Sequence, residues 1–101
     1  MSNSIIKEDE FTIGRWGRAW QRFMTENYPV ETAELKESSR WDELALEIER
    51  EAQAMWELLR KQYAKAIPRP TTFMETMKWE NIRGFYVDHE VMEQVVLQFR
   101  A

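Results

Sequence analysis

The chain has 101 residues, 44% hydrophobic and 32% charged, with no cysteine and a net charge of −4. It is long enough for one globular domain and too apolar to stay disordered. The missing cysteines exclude disulfide staples, zinc ribbons and thiol nucleophiles. No apolar run is long enough for an export signal or a membrane span. The negative balance argues against broad binding to phosphate backbones. These features predict a single cytoplasmic domain over 1–101, with 1–11 as a flexible N-terminal segment.

The first predicted helix runs from Thr12, a candidate N-cap, to Asn27. At about 100° per residue, Ile13, Trp16, Trp20, Phe23 and Met24 share one face and Arg15, Arg18 and Arg22 the other. Gly14 and Gly17 lie between the two. An interior helical glycine costs about 1 kcal/mol relative to alanine. The pair therefore marks a close backbone approach, a recognition surface formed with the arginines, or an entry loop with the helix starting near Gly17. Pro29 breaks the chain, and 30–37 reads as a short helix. Ser39-Arg40-Trp41-Asp42 has a capping pattern, opening a long helix over 39–66. Its stripe, Trp41, Ala45, Ile48, Ala52, Met55, Leu59, Tyr63 and Ala66, is the clearest periodic signal in the chain.

Pro68 and Pro70 make a stiff turn. Thr72-Phe73-Met74-Glu75 then reads as a capping box for another helix, which Gly84-Phe85-Tyr86-Val87 interrupts. Asp88 is a candidate cap for a last helix whose Val91, Met92, Val95, Val96 and Phe99 face inward, with Leu97 off that face. So apolar a helix serves the core or self-association. These elements predict an all-α fold: a compact antiparallel bundle of three to five helices around one long central helix.

Charge is uneven along the chain. Residues 31–57 hold nine acids and three bases, whereas 1–30 balance and 58–101 are slightly basic. Glu43, Glu47 and Glu51, spaced by four, form a ridge opposite Trp41 and Ile48. That ridge is either a solvated helix face or a surface for a cationic protein or nucleoprotein partner. Trp56 and Trp79 align poorly with their stripes, which makes them core edges or interface anchors. Arg15, Arg18 and Arg22 are the candidate nucleic-acid contacts. Asp88-His89-Glu90 holds the single histidine. Consecutive residues on a helix diverge, so no metal site is expected there. Neither a phosphate loop nor a nucleophile–base pair is visible, so no cofactor and no enzymatic activity are expected.

Ile13-Gly14-Arg15-Trp16-Gly17-Arg18, Phe23, Pro29, Glu47-Ile48, Arg50 and Ala52-Gln53 together resemble the TnpV family of small transposon-encoded proteins. Glu93-Gln94-Val95-Val96-Leu97 stands where that family closes on an apolar helix. Residues 13–66 carry the resemblance best, and 71–90 match poorly. The resemblance implies a small helical protein of bacterial mobile elements with no catalytic role to transfer. The expected function is non-enzymatic docking on a basic partner through the acidic ridge, most sharply as an inhibitor of a host defence nuclease. The alternative is a DNA-binding accessory of transposition that uses the three arginines.

Overall fold

A computed structural model describes residues 12–101. The chain folds into α1 (Arg15–Asn27), α2 (Pro29–Glu37), α3 (Trp41–Ala66) and α4 (Phe73–Val91), and α4 runs on into a π-helical segment, Met92–Val96. No strand occurs among the described residues. The architecture is the expected all-α bundle around one long helix. The expected N-terminal segment 1–11 lies outside the described residues.

Three elements keep their predicted logic. Pro29 occupies the first position of α2, where a missing N–H costs nothing. At the start of α4 the Thr72 hydroxyl accepts from the Glu75 N–H, the N-cap bond the pattern predicts, and donates to the Glu75 carboxylate in place of the backbone N–H of a full capping box. The α3 stripe packs as its period requires up to its last residue: Ala45, Ile48 and Ala52 are fully buried, Trp41, Met55, Leu59 and Tyr63 half-buried, and Ala66 at the helix end is exposed. At 26 residues, α3 is about 39 Å long.

The core is built where α1, the first half of α3, and the end of α4 with its π segment meet. Trp16, Trp20 and Met24 from α1 enclose Leu44, Ala45, Ile48 and Ala52, and Val87, Val91, Val95 and Val96 close the other side. Fully burying one such side chain contributes about 2 kcal/mol. The indole N–H of Trp20 donates to the Gln98 carbonyl at 3.1 Å, tying the C-terminal tail to the core.

Four boundaries differ from expectation. Thr12 does not cap α1; the helix opens at Gly14 because its first N–H groups are satisfied by another helix. Ser39 does not cap α3. It takes a left-handed conformation with φ 63° and ends α2 instead. The Ser39 N–H reaches the Lys36 carbonyl and the Arg40 N–H the Leu35 carbonyl, the paired bonds of a Schellman turn. Gly84–Val87 does not break the last helix, since one interior glycine is too small a cost against the burial of Trp79, Val87 and Val91 on the same helix. Asp88 therefore lies inside α4 and caps nothing. The π segment has a related cause. Trp79, Arg83, Val87, Val91 and Val95 are spaced by four, and strict four-residue steps drift around a 3.6-residue helix. Widening the last turn brings both Val95 and Val96 inward. Phe99, expected inside, is about half exposed and rests its ring on Tyr28, centroids 4.7 Å apart.

Candidate functional site

The two glycines of the opening motif meet α3. A Cβ on Gly17 would lie 2.8 Å from the backbone carbonyl oxygen of Ala45. A Cβ on Gly14 would lie 2.9 Å from the Glu49 carboxylate. The buried Glu49 reaches across from α3, and its Oε1 accepts from the N–H of Gly14 at 2.9 Å and of Gly17 at 2.8 Å. Its other oxygen accepts from Gln53 at 2.8 Å. These two N–H groups are the ones a capping box normally satisfies from side chains at its own first and fourth positions. Glycine has no side chain to offer, and one carboxylate from another helix does both tasks. A negative charge there also complements the positive end of the α1 dipole. Close backbone approach is therefore what the glycine spacing records. Sequence reasoning missed Glu49, although an acid beside Ile48 on the apolar stripe was a signal for it.

A second node joins three helices. Asp88 of α4 accepts from Arg15 of α1 at 3.1 and 3.4 Å, and from the Trp56 indole of α3 at 3.1 Å. The Arg15 guanidinium also lies 4.0 Å from the Trp16 ring centroid. One of the three candidate nucleic-acid arginines is thus engaged within the fold, while Arg18 and Arg22 are exposed on α1. Arg22 borders a shallow groove with Glu26, Met92 and Leu97. Trp56 is half-buried with Arg60 stacked 4.5 Å above it.

Trp79 is not an exposed anchor. It is buried between α3 and α4, with its ring against Tyr63 and its N–H donated to the Ile67 carbonyl at 2.8 Å. That carbonyl lies in the turn after α3, so the indole closes the α3–α4 hairpin.

The acidic ridge is less free than its spacing suggests. The Arg100 guanidinium grips Glu51 with two bonds of 2.7 and 2.8 Å, and this holds the Glu51 carboxyl below its ordinary value of 4.5. Glu43 lies 3.9 Å from Arg40, a long and exposed pair. Glu47 has no ion pair among the described residues but sits in the field of Arg100. The acidic character of this part of the chain is nonetheless broader than the ridge. Glu34, Glu37, Asp42, Glu43, Glu47, Glu51 and Glu57 are all exposed, seven acids against the exposed Lys36, Arg40 and Arg50 and the incoming Arg100.

His89, Glu90 and Glu93 bring donor atoms within 4.8 Å of one another near the end of α4. Consecutive residues diverge as expected, yet Glu93, four residues after His89, completes a grouping that the 88–90 triplet alone did not suggest. His89 is 3.4 Å from Glu93, and Glu90 accepts from Gln94 at 2.5 Å. Where the C-terminal part of α3 faces α4, Leu59, Gln62, Tyr63, Ala66, Ile67 and Tyr86 line an apolar groove of about 420 Å³. No helix among the described residues is long and apolar enough to cross a membrane.

No curated protein and no solved structure matches this chain. One family model does match, described as transposon-encoded protein TnpV, and it spans residues 4–98. With nearly the whole chain matched, including the glycine pair that receives the Glu49 carboxylate, the protein belongs to the TnpV family of transposon-encoded proteins.

Proposed function

We propose that this transposon-encoded protein acts without catalysis, as a docking protein for a basic protein or nucleoprotein of the host cell, with Glu43 and Glu47 at the centre of the contact. The observation that carries this reading is the excess of exposed acids over residues 31–57, on α2 and the first two-thirds of α3, seven against three bases, on helices held rigid by the core. Carboxylates on a stiff rod attract a cationic surface and set its orientation. In its sharpest form the reading makes the protein an inhibitor of a host defence nuclease, whose positively charged nucleic-acid channel the acids occupy in place of phosphates. Glu51 is a peripheral member because Arg100 already holds it.

The test is affinity capture from host lysate, before and after nuclease digestion, with wild type and a Glu43→Lys/Glu47→Lys double variant. A basic protein retained after digestion by wild type, lost with the double variant and weakened as salt rises, is the expected outcome. Captured nucleic acid whose retention depends on Arg18 and Arg22 overturns the reading in favour of a DNA-binding accessory. Circular dichroism confirms that each variant stays folded.

A further inference from the structure

The outward side of α4 is the largest unexplained feature of the molecule. Phe73, Met74, Met77, Ile82, Phe85 and Tyr86 are all exposed, Phe73 by 75% and Phe85 by 82%. Together they leave roughly 700 Å² of apolar side chain in water. A soluble monomer's largest apolar patch is about 300–600 Å², and a standard interface takes about 800 Å² from each partner. Within the described chain, no other element covers these side chains.

We infer that this face is the interface of a two-fold homodimer, in which α4 packs antiparallel on α4 of a second copy with Asn81 at the axis. Three observations select a second copy as the occupant. The face carries few charges, Glu75 and Lys78 of opposite sign beside six exposed apolar side chains, so it presents no net field to phosphates or to a cationic partner. Its exposed area matches what one partner of a stable dimer contributes. Its central residues can also pair with their own copies about Asn81. Antiparallel pairing sets Met77 against Phe85 and Phe73 against His89, and lays Lys78 over Gly84, where a Cβ would meet nothing within 4 Å inside this chain. The Asn81 amide makes no hydrogen bond among the described residues, and beside its own copy it has both a donor and an acceptor to exchange. Of the two roles expected for the 91–99 helix, core or self-association, the structure shows the first. Val91, Val95 and Val96 are buried in the core, and the free apolar surface lies earlier on α4.

Sedimentation of the full chain across micromolar to millimolar concentrations tests the inference. The expected result is reversible doubling of the 12.2 kDa mass. Phe85→Glu, at a position too exposed to disturb the fold, returns the protein to a monomer with unchanged circular dichroism. Asn81→Asp, which sets like charges across the axis, weakens association at least tenfold. Because the chain has no cysteine, Asn81→Cys forms a disulfide-linked dimer under mild oxidation, whereas Glu57→Cys does not. A wild type that stays monomeric throughout, or a dimer that survives Phe85→Glu, overturns the inference. Glu43→Lys/Glu47→Lys leaves this dimer intact, so failure here and failure of the docking reading are separately visible.

Discussion

Gly17 shows how much one missing methyl group decides. Its Cα sits against the Ala45 carbonyl of α3, and a Cβ there would be 2.8 Å from a backbone atom that cannot swing away. Gly17→Ala therefore forces α1 off α3 and is expected to cost about 2 kcal/mol or more, despite alanine's better helix propensity. Removing the carboxylate that caps this helix leaves one buried and one part-buried N–H group without an acceptor, so Glu49→Ala is expected to cost about 3 kcal/mol. Glu49→Gln retains an oxygen for both and costs about 1 kcal/mol, chiefly the charge assistance. Urea unfolding of the three variants checks this order, and Glu49→Gln falling below Glu49→Ala would break it. The glycines were legible because two of them so close in a helical pattern need a reason. Their partner was not, because periodicity places Glu49 on a face without saying what lies opposite. The same limit explains Trp79, whose indole is spent on the carbonyl of Ile67 in a turn that periodicity does not describe.

Among the elements, local chemistry was legible and competition between neighbouring elements was not. The Thr72 N-cap depends on four adjacent residues and formed as expected. Ser39 sits in an equally good local pattern, but the end of α2 needs a left-handed residue at that place and takes it first. Serine is a poor residue for φ 63°, and glycine is the usual occupant of such a turn. Ser39→Gly is therefore expected to raise stability by about 0.5–1 kcal/mol. Gly84 is the opposite case, an interior helical glycine whose added Cβ would meet open space. In dilute protein, where each chain is alone, Gly84→Ala is expected to add about 1 kcal/mol. The two sites lie on different helices and share no partner, so their effects should add to within about 0.5 kcal/mol. Together they raise the thermal midpoint of a domain this size by roughly 6–16 °C, and a melting curve for the double variant measures it. Destabilisation by Ser39→Gly would mean that the turn is not held as described.

At the scale of the whole molecule, the C-terminal tail joins parts that sequence order keeps far apart. Gln98 accepts from Trp20 of α1, Phe99 rests on Tyr28 between α1 and α2, and Arg100 clamps Glu51 on α3. None of these links has a sequence signal, because each joins residues about 50 or more positions apart. The helices themselves were legible, being short-range. The Arg100–Glu51 clamp also removes one acid from the ridge proposed for docking. Arg100 holds the Glu51 carboxyl below its usual value, because its two hydrogen bonds favour the ionised form more than partial burial opposes it. A group whose pKa is lowered on folding stabilises the fold above its unfolded value, 4.5, and loses that contribution as pH falls through the lowered one. With Glu51 about half exposed, water and salt screen the pair, and its worth stays below about 1 kcal/mol. Wild type and Arg100→Ala should therefore differ by about 0.5–1 kcal/mol at neutral pH and converge toward pH 3, read by urea unfolding at both. Trp20 and Tyr28 keep the rest of the tail seated, so Arg100→Ala releases Glu51 without unthreading the terminus. If docking rests on the acidic surface of α2 and α3, the same variant should hold a basic partner more tightly than wild type. A weaker hold would place Arg100 itself in the contact.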